Sequence, residues 1–283
     1  MEKTILVTGA SGNLGRDVVK SLSNKGYNVK AATRDVRKIS SSKGVTAIQF
    51  DYAEPGTFGD ALREATGLFL VAPPMDPEAP AKLIPFVNKA KEAAVRHVVF
   101  VSALGVDQNE QAPLRVIEHA LMDSGLAHTI LRPNFFMENF STGFIAPMIK
   151  HQNGIFLAAS DGKTSFISTK DIAEVAAAAF SKTHYGKEYN LTGPEGLGHS
   201  QVAEIIGRVV GRKVSYHALS EEAMLQGARD QGLPEGAVQY MGILYAVVRA
   251  GYMAVVTDDV QKVTGRKPVT FAEFARRNAS CWR

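Results

Sequence analysis

The sequence predicts an α/β protein: a parallel, doubly wound sheet with helices on both faces, followed by a smaller, mostly helical C-terminal lobe. Three observations predict this class. Short apolar runs rich in β-branched residues alternate with helical apolar spacing through the first half of the 283-residue chain. A glycine triplet follows the first of those runs, and the alternation loosens after Leu131. Parallel strands need a crossover and helices supply it, so this rhythm reads as βαβ units.

In chain order, the predicted strands are Thr4–Thr8, Asn28–Thr33, Val45–Phe50, Gly67–Ala72, His97–Ser102 and His128–Leu131. Their near-continuous apolar character fits a sheet buried on both faces. Leu14, Val18, Val19 and Leu22 give the first helix its apolar stripe. Leu83, Phe86, Val87 and Ala90 mark a later helix, and Val116, Ile117 and Leu121 another. The expected strand order is 3-2-1-4-5-6, which opens a crevice between the first and fourth strands.

Beyond Leu131, helical patterns run over Phe135–Lys150, Lys170–Ser181, Ser200–Val210, Ser220–Gly232, Glu235–Tyr252 and Thr270–Ala279. Strand candidates there are Thr164–Ser168, Glu188–Leu191 and Lys213–Tyr216. No low-complexity linker or internal repeat interrupts the chain. The expected organisation is a dinucleotide-binding domain over residues 1–150 and a substrate lobe over 151–283, with segments that return to the sheet.

Composition narrows the function. Hydrophobic residues make up 45% and charged residues 21%, the balance of a folded globular enzyme. The net charge of +4 is scattered, without a dense basic stripe, so no nucleic-acid partner is expected. It suits an anionic small molecule such as a dinucleotide. Cys281 is the only cysteine, which excludes an intrachain disulfide and points to a reducing, cytoplasmic setting. No signal-peptide h-region separates Met1–Lys3 from the first predicted strand. The apolar stretch Gly242–Val256 is too short to span a bilayer and carries Arg249, so no membrane partner is expected. Zinc-ligand spacings, the G-x-S-x-G elbow and the Walker lysine loop are all missing, which removes metal-hydrolase, esterase and P-loop readings.

The chemistry-bearing motif is Thr8-Gly-Ala-Ser-Gly-Asn-Leu-Gly15, set between a strand and an amphipathic helix. Gly9 permits a tight turn, Gly12 lets the backbone approach a pyrophosphate, and Gly15 lets helix and strand pack closely. Free N–H groups and the helix dipole then favour phosphate. This is the Rossmann dinucleotide turn, and its expected cofactor contacts are Thr8, Gly9, Ser11, Gly12, Asn13, Leu14 and Gly15. Arg34 directly follows the second strand, where a guanidinium can grip a 2′-phosphate, while Asp35 can cap the next turn. NADPH is therefore the expected cofactor, with NADH as the alternative. Asp51 and Tyr52 follow the third strand; Asp51 reads either as an acceptor for the adenine amino group or as a turn former. Ala72, Pro73 and Pro74 end the fourth strand and should bend the chain over the cofactor.

These residues resemble the NmrA-like atypical short-chain dehydrogenase/reductase family. The carriers are TGASGNLG at 8–15, ATRD at 32–35, DY at 51–52 and VSALG at 101–105. They continue with TILRPNFFMENF at 129–140, FISTKDIAEVAAAAF at 166–180 and YNLTGPE at 189–195. The resemblance covers nearly the whole chain and lies nearest the triphenylmethane reductase and type 2 quinone oxidoreductase branch. It implies an NADPH-dependent oxidoreductase that reduces conjugated small-molecule acceptors such as quinones or dyes. A non-catalytic NAD(P)-sensing regulator of the NmrA type is the alternative.

Carried over by position, Ser102 matches the serine that ends the fifth strand in the wider superfamily. Anchoring on Glu118 and Arg132 puts Glu110 at the superfamily's catalytic tyrosine position and Leu114 at its lysine position. The Tyr–Lys pair is thus missing, which argues against ordinary carbonyl–alcohol chemistry and for hydride transfer to a strongly electron-poor acceptor. The resemblance sets Pro133, Asn134 and Phe135 beside the nicotinamide, and Ser102, Asn134 and Phe135 are the expected catalytic residues. Phe135 and Phe136 read either as walls of the substrate site or as a buried aromatic cluster. Tyr240, Met241, Leu244, Tyr245, Val248 and Tyr252 form a helical stripe that reads either as pocket lining or as core. His119 reads either as a proton donor or as a helix histidine with no catalytic part.

Overall fold

The structure, a computed structural model, describes residues 3–40, 42–93 and 95–283, so Met1 and Glu2 of the N-terminal reading lie outside the described residues. The strands and helices run β1 (Thr4–Val7), α1 (Asn13–Asn24), β2 (Asn28–Thr33), β3 (Val45–Gln49), α2 (Phe58–Leu62), β4 (Gly67–Val71), α3 (Ala79–Glu92), β5 (His97–Val101), α4 (Pro113–Asp123) and β6 (Ala127–Pro133). They continue α5 (Ala146–Gln152), β7 (Gly154–Leu157), β8 (Lys163–Thr164), α6 (Thr169–Ala179), β9 (Lys187–Leu191), β10 (Leu197–Gly198) and α7 (His199–Val210). The last elements are β11 (Ser215–Ala218), α8 (Glu221–Asp230), α9 (Glu235–Arg249), α10 (Asp259–Thr264) and α11 (Phe271–Arg277).

The chain forms two compact units, the first made of Met1–Pro74, Glu78–Pro133 and Thr169–Asn190. Its sheet is ordered β3-β2-β1-β4-β5-β6-β9, so the expected six-strand order stands, with a seventh strand added beside β6. The registered pairs from β3 through β6 are all parallel. One apolar layer packs Leu6, Leu68, Leu70 and Phe100 of the sheet against Phe58, Leu83, Phe86, Ile117 and Leu121 of the helices. On α1, the Ser21 hydroxyl donates to Glu174 of α6 at 2.7 Å, and Thr169 donates to Asp17 at 2.6 Å. These bonds attach the returning helix α6 to the sheet-bearing unit.

The second unit comprises Met75–Pro77, Asn134–Ser168 and Leu191–Arg283. It contains two two-stranded ladders: β7 with β11, parallel, and β8 with β10, antiparallel. Its core includes the fully buried Phe140, Phe271 and Trp282, and the Trp282 indole donates to Phe140 O at 2.6 Å.

Two expectations need correcting. The split at residue 150 puts 134–150 with the sheet, whereas these residues belong to the second unit. The predicted helix Phe135–Lys150 is broken into an irregular segment, a 3₁₀ turn over Met137–Phe140, and the short α5. Backbone pairing decides this: Ile167 N–H donates to Phe135 O at 3.0 Å, and Met137 N–H donates to Ile167 O at 2.9 Å. Those bonds replace the i→i−4 ladder, and Pro147 sits in the first turn of α5, where its missing N–H does no harm. The strand candidate Thr164–Ser168 shrinks to β8, and the Lys213–Tyr216 candidate appears two residues later as β11.

Candidate functional site

In the first unit, every predicted cofactor residue lies on the turn after β1, in the first residues of α1, or at or just beyond the carboxyl end of β2, β3, β4, β5 or β6. The strand order reverses between β1 and β4, which is where open α/β sheets bind ligands. Chain direction does this work: parallel strands bring all their carboxyl ends, and the turns that follow them, to one edge.

The three glycines of the turn have different physical reasons. Gly9 has φ +63°, a left-handed conformation that L side chains resist, and an added Cβ would sit 2.8 Å from Val71 Cγ1. At Gly15 a Cβ would collide with the Gly9 carbonyl and lie 2.8 Å from Ala10 Cα, so α1 can pack against the turn only without one. Gly12 is the exception. Its φ of −79° and ψ of 172° suit any residue. The only atom near an added Cβ is Gly9 O, at 3.3 Å. That contact with a backbone oxygen is tight, so the neighbour would have to give by a few tenths of an ångström, and a phosphate approaching the backbone is a second reason for a glycine. As the N-cap of the 12-residue α1, Gly12 offers no side-chain acceptor, and the first turn holds no acidic residue. The helix end therefore stays electropositive, and the residues present fit a dinucleotide phosphate.

At the end of β2, the neighbouring charges divide in the way that matters for cofactor choice. Asp35 accepts from Arg37 Nε at 2.8 Å, from Arg37 Nη2 at 3.1 Å and from Arg37 N–H at 3.1 Å, capping the Val36–Lys38 turn. The Arg37 hydrogen bonds hold its carboxyl below the usual aspartate range. The Arg34 side chain is exposed and has no ion-pair or hydrogen-bond partner among the described residues, while its backbone oxygen accepts from Gln49 Nε2 at 3.0 Å. A groove of about 480 Å³ beside α1 adds Arg16, Lys20 and Lys38 to this positive edge.

Other predicted contacts are engaged within the protein. The buried Thr8 hydroxyl donates to Phe69 O at 3.1 Å and accepts from Val71 N–H at 3.0 Å, so it ties β1 to β4. Tyr52 donates to Val71 O at 3.0 Å, and its burial raises the phenol pKa well above normal. Asp51 Oδ1 accepts from Ala53 N–H at 3.0 Å, the geometry of a turn former. The Ser11 hydroxyl accepts from Thr33 Oγ1 at 3.2 Å. Asn13 is exposed and Leu14 is buried on the sheet side of α1. Ala72 and Pro73 are half-buried and Pro74 is exposed, directly after β4.

Ser102 directly follows β5, with its N–H bonded to Leu131 O at 2.8 Å. Its buried hydroxyl lies near enough to Glu118 to favour the carboxylate, yet makes no hydrogen bond of good geometry. Glu118 is fully buried, accepting from Arg132 Nε and Nη2 at 2.9 and 2.8 Å and from Arg115 Nη1 at 2.9 Å. Burial alone would raise its pKa, but these hydrogen bonds hold it below the normal glutamate range. Glu110 is exposed and bonded to His119 and Arg115, which lowers its pKa, so it is ionised at neutral pH.

In the second unit, the buried Asn134 donates through Nδ2 to Ser165 Oγ at 2.7 Å and to Met253 O at 2.9 Å. Its Oδ1 accepts from Phe135 N–H at 2.8 Å. Both amide hydrogens are thus used in holding the loop, leaving one lone pair for a ligand. Phe135 is half-buried, with its ring centroid 6.1 Å from that of Tyr245. Along α9, Met241, Tyr245 and Val248 are buried, whereas Tyr252 lies past the helix and is 70% exposed, so the predicted stripe stops short of it.

Sequence reasoning passed over His199, the first residue of α7, which is buried among aromatic rings. No motif spacing marks it. Among the described residues there is no metal-ligand cluster, and no single helix is long and apolar enough to cross a membrane.

The NmrA-like family matches residues 1–275. The NAD(P)H azoreductase of Xenophilus azovorans is 33% identical, the match covering 98% of this chain and 99% of that protein. The NADPH-dependent quinone oxidoreductase of Escherichia coli, solved with NADPH, superposes with a TM-score of 0.83 at 26% identity, over 97% of this chain and 98% of that one. The triphenylmethane reductase of Citrobacter, solved with NADP(H), shares the fold at 21% identity, with a TM-score of 0.79 over 98% and 100% of the two chains.

Proposed function

Because the chain belongs to the NmrA-like family, we propose that it is an NADPH-dependent oxidoreductase. It reduces conjugated acceptors, quinones or dyes, by direct hydride transfer without a Tyr–Lys pair. The observation that carries the cofactor half is the turn itself: Gly12 caps α1 with extended backbone and no side chain, and the first turn of the helix holds no acidic residue. The azoreductase and quinone oxidoreductase relatives support the acceptor half.

The cofactor supplies hydride when bound; the chain's residues bind and orient it. The turn Gly9–Gly15 takes the pyrophosphate on N–H groups at the start of α1. Arg34 takes the 2′-phosphate. Asp35, whose carboxylate is held by Arg37, is poorly placed to compete for a ribose hydroxyl as an NAD-selective acid would. The unbonded Ser102 hydroxyl is the polar group left to serve the nicotinamide end. Phe135 presents a half-buried ring to the acceptor, and Asn134 acts by holding the loop that carries it. A reducing, cytoplasmic setting suits a chain whose one cysteine, Cys281, is unpaired.

The test follows NADPH absorbance with 1,4-naphthoquinone, triphenylmethane and azo dyes, an enone and an aldehyde. Turnover of the quinone or dyes, with the aldehyde inert, is the expected result. Tight NADPH binding with no acceptor reduced refutes the catalytic reading and leaves the sensor reading in its place.

A further inference from the structure

The second unit holds a polar group that nothing so far employs. His199 is 3% exposed, and its Nδ1 is buried without a hydrogen-bond partner. Aromatic rings surround it: Tyr216 at 5.4 Å, Phe166 at 5.6 Å, Phe140 at 6.1 Å and Tyr245 at 6.4 Å between centroids. Burial pushes the imidazole down to about 4, so at neutral pH the ring carries one N–H donor and one bare nitrogen acceptor. Buried polar groups nearly always find partners, so an unpartnered one invites a ligand.

Two further features point the same way. Thr164 Oγ1 is also buried and unpartnered, and Thr164 pairs in the β8–β10 ladder with Leu197, two residues before His199. Tyr245, which shares the cage, is buried as a residue, and burial, then Tyr216, raises its phenol pKa. Tyr245 in turn lies beside the half-buried Phe135, the two rings tilted by 58° with centroids 6.1 Å apart. Tyr216, by contrast, is fully engaged, donating to Leu157 O at 3.0 Å and accepting from Ala159 N–H at 3.2 Å.

We propose that His199 is the recognition residue of an acceptor site inside the second unit. A planar conjugated ligand lies against Phe135 and Tyr245 and sets a carbonyl or hydroxyl oxygen on the His199 imidazole. A ligand oxygen can accept from the imidazole N–H or, as a hydroxyl, donate to its bare nitrogen, so both quinone and quinol find a partner. The proposal rests on the acceptor-reductase reading, and it adds which residue selects an oxygen-bearing ring.

The probe is 1,4-naphthoquinone. In protein labelled with ¹⁵N-histidine, adding it to the NADP⁺-saturated chain is expected to shift the His199 imidazole signals saturably, whether or not turnover occurs. No shift overturns the site. In steady state, His199→Phe keeps an aromatic ring in the cage and removes both nitrogens. It is expected to raise KM for naphthoquinone at least tenfold, with KM for NADPH unchanged. His199→Gln, which retains a donor and an acceptor, is expected to recover part of that loss. A folded His199→Phe protein with wild-type naphthoquinone KM overturns the proposal and leaves an ordered water as the group satisfying the imidazole. If the wild type turns over no acceptor, the reductase reading fails separately, and the NMR titration still decides the site.

Discussion

Two alanine substitutions on one turn separate the cofactor's demand for glycine from the fold's. At Gly12 the backbone is already extended, and a Cβ would meet only Gly9 O, at 3.3 Å. Replacing glycine by alanine at a compatible backbone stabilises by about 0.4–1 kcal/mol through the unfolded chain, offset here by a slight steric cost. Since 1 kcal/mol moves Tm by roughly 2–4 °C in a domain of this class, Gly12→Ala should change Tm by no more than about 2 °C. At Gly15 a Cβ would sit 2.7 Å from the Gly9 carbonyl carbon and 2.8 Å from Ala10 Cα, both backbone atoms that cannot rotate away. Overpacking of this kind costs about 1–3 kcal/mol, so Gly15→Ala should lose on the order of 2–12 °C. Calorimetric titration then reads the other quantity, with Gly12→Ala expected to bind NADPH at least tenfold more weakly despite its intact fold. A Gly12→Ala protein with wild-type Tm and wild-type Kd would refute the reasoning, because the glycine would then have no ligand to explain it.

Three further expectations rest on other residues. Arg34→Ala should weaken NADPH by about tenfold to a hundredfold, from the roughly 1.5–3 kcal/mol of a charged hydrogen bond, and leave NADH nearly unchanged; equal losses would show that Arg34 does not read the 2′-phosphate. His97 is buried, its Nε2 2.9 Å from Thr129 Oγ1, and burial, followed by repulsion from His128 and His184, pushes it down to about 4. The unfolded chain therefore takes up a proton that the folded chain refuses, so stability is full above about pH 6.5 and falls as pH drops towards 4, by about 3 kcal/mol for this group. Urea unfolding of His97→Gln should show a shallower loss over that window, and an identical slope would count against the assignment. Ser102→Ala and Glu110→Gln should each keep kcat/KM within about tenfold on the best acceptor, while Phe135→Ala loses more; a thousandfold loss for Ser102→Ala would reveal a required hydroxyl.

The sheet was legible because its signal is local and repeated. Runs such as Val98–Val101 are apolar at successive positions, and a parallel strand buried on both faces needs that pattern. The dinucleotide turn was legible because Gly9 and Gly15 leave a backbone signature that no side chain can replace. The stretch from Phe135 to Lys150 misled because its apolar residues answer to a distant partner, Ile167, through backbone bonds that spacing cannot express. Asn134 reads as a ligand contact from its place on the loop after the sixth strand, whereas the bonds of its amide to Ser165 and Met253, the latter 119 residues away, leave no trace in the sequence. His199 was invisible for the same reason. A histidine that opens a helix becomes informative only once Phe140, Phe166, Tyr216 and Tyr245 are known to surround it.

The charges between Ser102 and Glu118 bear on the proposal that hydride transfer here proceeds without a Tyr–Lys pair. Asp107 faces Arg132 at 3.7 Å, Glu110 pairs with Arg115 and His119, and Glu118 is held by Arg115 and Arg132. Each of these carboxylates is thus neutralised by a neighbouring base. For Glu110 and Glu118 the pairing lowers the pKa, leaving them unsuited to donating a proton at neutral pH. Arg132 also binds Glu188 of β9 at 2.7 Å, so the same network joins α4, β6 and the sheet's edge strand. Removing one partner would strand a buried charge, which typically costs about 3–5 kcal/mol. The segment from Ser102 to Glu118 is thus a structural clamp. What it leaves available for chemistry is a single uncharged hydroxyl, that of Ser102. Under the proposed function, such a segment suits an acceptor whose reduced form takes its proton from water, and an alkoxide-forming carbonyl is not one.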